Sequence, residues 1–240
     1  NIPHVKTDET LEGLKGLDYG ENELHQAREG VGRSVINDFD VTNGEQCDFC
    51  GRHISGVDYD ELIDGRIRCR VCSRSAIHTE KEFVRLFREV KSRLEREFNI
   101  SITNNIHVKM VNTAKLQNTV GRKFVPTSGM DGRVVGVAIM DGKGFSLLIE
   151  NGSPRAKSML TIAHELTHIW QYENWDRKNI IKRYGAEKYL EVCEGMAKWT
   201  EVQFAYLIND PVIAKREYIL AANRDDEYGR GFRSYAAAYP

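Results

Sequence analysis

Residues 158–174 read SMLTIAHELTHIWQYEN, an apolar run with two histidines and a glutamate at its centre. His164 and His168 are four apart, so on a helix their rings leave one face about a turn from each other, with Glu165 alongside. The run is long enough to be a buried helix, and two imidazoles on one face of such a helix have the geometry of a metal clamp. HELTH fits the HExxH pattern, in which both imidazoles bind zinc and the glutamate acts as base on the attacking water.

A catalytic zinc takes three protein ligands and keeps a position open, so a further ligand is needed. No histidine follows His168, which excludes a downstream third histidine. Glu194, in EVCEGMAKW (191–199), lies between Leu190 and Ala197 at the margin of an apolar stripe on a second long helix, expected from about Gly185 to Leu207. A carboxylate there costs free energy unless it is paired or bound. Gly195 and Ala197 are expected to let the two helices approach, so that Glu194 reaches the metal; Glu191, one turn earlier, is the rival. With His164, His168 and Glu194 as ligands, zinc would polarise a scissile carbonyl while Glu165 moves the water proton to the leaving amine.

Four of the five cysteines form two doublets, CDFC (Cys47, Cys50) and CRVC (Cys69, Cys72). This spacing suits four thiolates closing on one structural zinc better than a disulfide framework. CDFCGRHISG reads as a zinc knuckle, YDELIDGRIRC as two short strands turned at Asp64-Gly65, and CRVCSRSAI as the start of a helix. Such a module is too small to fold on apolar burial alone, and metal binding, worth roughly 10–16 kcal/mol in zinc-finger peptides, would supply the deficit.

Four segments are expected: an N-terminal extension over 1–45 with a short helix around Glu21 to Arg28, the zinc module over 46–78, a connecting helix over 79–100, and a catalytic domain over 101–240. The connecting helix carries a capping box, Thr79 and Glu82, and an apolar face of Phe83, Phe87, Val90, Leu94 and Phe98. NNIHVKMVN alternates as a half-buried strand does, and RVVGVAIMDGKGFSLLIE reads as a hairpin turned at Asp141 to Gly144. Its second strand, GFSLLIE, is expected either to offer an edge to an extended peptide or to be an ordinary internal strand. Ser153-Pro154 then reads as N-cap and first residue of the helix that carries His164. The fold class is therefore α+β, a small zinc module followed by a metallopeptidase domain with a small β-sheet and two long active-site helices.

Lys and Arg number 34 against 35 Asp and Glu, a balance that gives no compositional argument for a nucleic-acid or anionic-membrane partner. No stretch approaches the ~18 consecutive apolar residues needed to span a bilayer, and the N-terminal residues lack an apolar signal core, so a cytoplasmic location is expected. The chain opens on Asn rather than Met, which points to a native N-terminal segment not present in this sequence.

Taken together, these motifs resemble the plant ubiquitin-activated, LIM-domain peptidases that limit organ growth, the DA-one family, and its bacterial relatives. YDELIDGRIRCRVCSRSAI is similar to the end of that family's LIM-like region, SPRAKSMLTIAHELTHIW to its active-site helix, CEGMAKW to its third-ligand helix, and YGRGFR to a segment near its C-terminus. The likeness runs in one order from about Cys47 to Arg233. It implies a gluzincin-type zincin fold, a LIM-like or treble-clef module with zinc on Cys47, Cys50, Cys69 and Cys72, and a second, catalytic zinc on His164, His168 and Glu194 with Glu165 as base. No first LIM module and no ubiquitin-interacting helix are visible, so ubiquitin activation is not carried over.

A peptidase of this kind also needs a donor to its oxyanion; Tyr228, in DDEYGRGFRSY, is the candidate and Tyr235 the alternative. Cys193 is expected to be a small core residue, and Trp170, Trp175 and Trp199 to pack. The leading expectation is a zinc endopeptidase acting on protein or peptide substrates, with a regulatory protein partner and no membrane or nucleic-acid partner. Two alternatives stand beside it. One is a DNA-associated protease of the SprT type, although that type places its zinc module after the catalytic segment and uses a third histidine. The other is a catalytically latent LIM-like adaptor.

Overall fold

The computed structural model describes residues 46–54, 56, 58–120, 136–141 and 144–239. The expected N-terminal extension with its short helix, and residues 133–135 and 142–143 of the expected hairpin, lie outside them. The described fold is mixed α+β, mostly helical, with two small sheets.

The cysteine segment opens on a turn in which the Gly51 amide donates to the Cys47 carbonyl at 2.8 Å, with Gly51 at φ +70°, a conformation that needs no Cβ. Strands β1 (Tyr59–Glu61) and β2 (Ile67–Cys69) pair antiparallel around the Asp64-Gly65 turn. Helix α1 (Arg70–Arg74) follows at once and carries Cys72. Helix α2 (Glu80–Phe98) begins at the expected capping box and buries Phe83, Leu86, Phe87, Val90, Leu94 and Phe98 on one face.

Strand β3 (Ile106–Val111), helix α3 (Thr113–Val120), and strands β4 (Gly136–Asp141) and β5 (Gly144–Glu150) follow. The sheet order is β3-β5-β4, with β3 parallel and β4 antiparallel to β5. GFSLLIE is therefore the central strand, hydrogen-bonded on both sides, and has no edge to offer a peptide. Among the described residues the strand with a free edge beside the helix that carries His164 is β4.

Helix α4 (Arg155–Asn174) holds the HExxH segment. It starts one residue later than expected, with Pro154 as its cap. The Ser153 hydroxyl bonds no helical amide; the Ser153 carbonyl instead accepts from the Ile77 amide at 3.0 Å. Helices α5 (Arg177–Tyr184), α6 (Ala186–Leu207), α7 (Pro211–Ala222) and α8 (Glu227–Ala238) complete the chain. Of these only α6 is among the expected elements. The side chains of Asp176, Asp210 and Asp226 cap α5, α7 and α8, and Pro211 opens α7, so the start signals of all three stand in the sequence.

Helix α4 is buried on nearly every face. Leu160, Ile162, Leu166 and Ile169 share one core with Phe83, Leu86 and Leu94 of α2, Leu147 and Ile149 of β5, and Val202 and Phe204 of α6. Each such side chain is worth about 1.5–3 kcal/mol of burial, which outweighs the loss of solvent around the few polar groups α4 carries.

The cysteine segment is fastened to the turn between β5 and α4. Arg66 makes a bidentate pair with Glu150, the last residue of β5; its Nη1 lies 2.8 Å from Oε2, and its guanidinium stacks 4.9 Å over the Phe49 ring. Arg68 donates to the Gly152 carbonyl at 2.7 Å, and the Arg155 amide to the Ser75 carbonyl at 2.9 Å. The first turn of α4 is thus held by residues of the cysteine segment.

At the other end, α8 crosses α6 at Gly195 and Gly231. A Cβ on Gly195 would stand 2.3 Å from the Gly231 Cα, and a Cβ on Gly231 would stand 2.1 Å from the Glu191 carbonyl oxygen. Gly195 therefore admits α8, whereas the sequence reading has it admit α4; Ala197 is buried in the core.

Two substitutions test these contacts by urea denaturation. Gly231→Ala is expected to lower stability by about 1–3 kcal/mol, because backbone has to move to admit the methyl group. Arg66→Met is expected to cost about 3–5 kcal/mol by leaving Glu150 buried without its partner, whereas removing the exposed Arg96 beside Glu97 should leave the midpoint unchanged.

Candidate metal centre

His164 and His168 leave adjacent turns of α4, and Glu194 reaches them from α6. Their Nε2 atoms are 3.1 Å apart, and Glu194 Oε2 lies 3.5 Å from the first and 3.3 Å from the second. The tautomers follow from the partners of the other nitrogens. Glu201 accepts from His164 Nδ1 at 3.1 Å, and a carboxylate can only accept, so Nδ1 carries the proton. Gln171 donates its amide to the Cys193 carbonyl at 2.9 Å, which turns its oxygen toward His168 Nδ1, also at 2.9 Å. With both rings neutral, each Nε2 is left with a lone pair, and the two lone pairs face each other across a half-buried gap.

Glu194 Oε2 is buried and has no hydrogen-bond partner. Three electron-pair donors pointing at one place call for a cation, and these three residues could hold a metal ion. The spacing fits zinc: donors about 2.05 Å from a tetrahedral ion stand roughly 3.3 Å apart. The electrostatics agree. Burial works against a charged His164, yet the Glu194 and Glu201 carboxylates outweigh it and push the imidazole up to about 9. Burial likewise opposes ionisation of Glu194, but the two imidazoles hold it well below the usual carboxylate range.

Glu165 points to the other side, where its Oε2 accepts from the Ala138 amide of β4 at 2.8 Å. Burial pushes its carboxyl group above the usual range, and the neighbouring imidazoles offset this only in part. In an antiparallel ladder alternate residues turn their amides away from the partner strand, and on β4 the Ala138 amide is turned toward α4.

Tyr228, in the first turn of α8, stacks on His164 with ring centroids 6.1 Å apart. The Arg224 guanidinium lies 4.5 Å from the centre of the same ring. Burial, and then the Glu194 carboxylate beside it, push its phenol far up, so it stays protonated and able to donate. Tyr235, the alternative, lies in the core against Trp199 and Tyr239. Glu191, the rival ligand, is paired with Lys188 at 2.6 Å and Arg230 at 3.3 Å and stands apart from the imidazoles. Cys193 is a buried free thiol on α6, as a core residue would be.

The second cluster is Cys47, Cys50, Cys69 and Cys72, whose sulfurs lie within 4.8 Å of one another. Cys50 and Cys69 sulfurs are 3.7 Å apart, far beyond a disulfide bond and close to the roughly 3.8 Å that sulfurs 2.3 Å from a tetrahedral zinc would show. The Cys69 amide points at Cys47 Sγ at 3.4 Å. The thiols compete for one charge: hydrogen bonds from Cys50 and Cys72 pull Cys47 far down, and their bonds to Cys47 push Cys72 far up and Cys50 up to about 11. A dication would let all four ionise together.

Glu201, Gln171 and the Ala138 amide are the site groups that the sequence reading missed. Glu201 carries a signal, since it follows Glu194 by seven residues on one helix; the other two depend on how α4 meets α6 and β4.

No protein-family model, no curated protein and no solved structure matched this chain when it was compared with each.

Elemental analysis of the purified chain is expected to find two zinc ions. His164→Ala should reduce this to about one, and Glu194→Ala should weaken the same site while the cysteine site stays loaded. A single ion unaffected by either substitution would confine metal binding to the cysteines.

Proposed function

We propose that this chain is a zinc-dependent endopeptidase of the gluzincin type, with a LIM-like treble-clef zinc module built against its catalytic domain. The observation that carries this reading is the pair of imidazole lone pairs facing each other beside the unpartnered Glu194 oxygen, with a half-buried, raised-pKa Glu165 one residue from the first of them. Structural metal sites close all their positions with protein atoms; here three protein donors leave room for a further ligand.

Zinc held by His164, His168 and Glu194 would supply Lewis acidity, polarising a carbonyl and bringing the pKa of a water down to about 7. The protein's own residues do the rest. Glu165, its carboxyl group raised above the usual range by burial, takes a proton from the attacking water and hands it to the leaving amine. Its tie to Ala138 keeps the carboxyl group beside β4 rather than on the imidazoles. Tyr228, a neutral phenol stacked on His164, donates to the oxygen that gains charge in the tetrahedral intermediate.

Strand β4 supports a polypeptide substrate. Among the described residues its outer edge pairs with no other strand, and it runs beside Glu165, so an extended segment adding to that edge would be delivered to the base. The exposed Met140 lies further along this strand.

The test is cleavage of an unfolded protein by the zinc-loaded chain. Glu165→Gln is expected to keep both metals and lose turnover by about 10²–10⁴-fold. Tyr228→Phe should lower turnover by about 10²-fold with metal content unchanged. Full turnover in either variant would remove that residue from the mechanism, and a fully loaded wild-type chain that leaves unfolded proteins intact would refute the peptidase reading.

A further inference from the structure

Helix α6 holds His164 by both ring nitrogens. Glu194 and Glu201 are seven residues apart on α6, two turns, so both carboxylates leave the face that meets α4. Glu194 Oε2 stands 3.5 Å from Nε2 and Glu201 Oε2 stands 3.1 Å from Nδ1. His168 is treated differently, since its Nδ1 meets only the neutral amide of Gln171, on its own helix.

The ligand role accounts for Glu194 and leaves Glu201 without a reason. Glu201 is 4% exposed, and a carboxylate so placed is costly unless other groups balance it. Balance is provided. Lys198, itself buried, lies 2.8 Å from Glu201 Oε2 and 3.9 Å from Glu217 Oε2 on α7. Glu217 in turn holds Arg216 at 3.0 Å, and Arg216 reaches the Asp48 carbonyl, inside the cysteine turn, at 3.4 Å. A chain of buried charges therefore runs from the cysteine turn to the ring of His164. Apolar residues of similar volume usually serve packing as well as a buried ion pair does. The group at the end of this chain that gains from an anion is the imidazole: a carboxylate on Nδ1–H fixes the tautomer and ring orientation and makes Nε2 a stronger donor.

We propose that Glu201, fixed by Lys198, is a positioning residue that holds His164 as a metal ligand. This rests on the metal-site reading given above. The position is not one the HExxH pattern specifies, and it makes the third-ligand helix the source of both the ligand and the group that orients its neighbour.

The experiment measures zinc affinity of the full chain by chelator competition, with the cysteine site as an internal reference for folding. Glu201→Gln keeps an acceptor for Nδ1–H and loses the charge; Lys198→Met with Glu201→Met removes both partners together, so neither buried charge is stranded. Zinc at the histidine site is expected to bind about 10-fold more weakly in the first and up to about 100-fold more weakly in the second, with the cysteine site unchanged. Wild-type affinity in the double variant would show that the pair is only an ion pair within the fold and would overturn the proposal. A wild-type chain that takes up zinc at the cysteines alone would refute the metal-site reading, and the proposal with it.

Discussion

Two imidazole lone pairs 3.1 Å apart, with a buried carboxylate oxygen facing both, cannot stay together without positive charge between them. That constraint organises the molecule. It requires α4 to be rigid and almost fully enclosed, so that two residues one turn apart hold their rings in one orientation. It also requires a second helix to bring a carboxylate into an apolar core, where only a bound cation or a proton on His164 balances it. Of the polar residues of α4 that become buried, Gln171 serves the His168 ring, whereas Thr167 donates back to the Ala163 carbonyl and Ser158 bonds the Ser153 carbonyl.

Enclosing α4 takes elements from both ends of the chain. The cysteine segment grips the turn that feeds the helix through Arg66 on Glu150 and through backbone bonds at residues 75–77 and 152–155. A module too small to bury a core of its own is thereby made part of the frame around the histidines. The same segment touches α7, where Arg52 pairs with Asp210 at 2.8 Å and Gly51 leaves room for the Arg216 side chain. The two candidate metal centres therefore share a scaffold, held largely by arginine–carboxylate contacts rather than by one continuous sheet.

The C-terminal helix depends on a different economy of space. Gly195 and Gly231 let α8 and α6 approach at backbone contact, and this places Tyr228 over His164 while Glu191 turns outward to Lys188 and Arg230. One crossing thus decides which of two neighbouring glutamates meets the histidines and which of two tyrosines stands at the site. Neither choice could be made from spacing alone, because Glu191 and Glu194 are a turn apart and so sit on nearby faces of α6.

By itself the sequence determined the pieces whose signals are local. Thr79 and Glu82 start α2 through bonds made within four residues, the Asp64-Gly65 turn closes its hairpin, and the four-residue spacing of His164 and His168 puts two rings on one face of whatever helix they occupy. The cysteine doublets likewise announce a four-sulfur cluster. What tertiary structure decided is each thing that depends on a partner distant in the chain. Strand β5 became central because β3 pairs along one side of it and β4 along the other, so the free edge passed to β4. Helices α5, α7 and α8 start behind aspartate caps that are local, but where they pack, mainly on α6, was settled by the tertiary structure. Glu201 acquired its role only where α6 meets α4, because its hydrogen bond to His164 Nδ1 depends on the angle and distance between two helices; Gln171 sits three residues from His168 on α4, but its amide is oriented by the Cys193 carbonyl of α6.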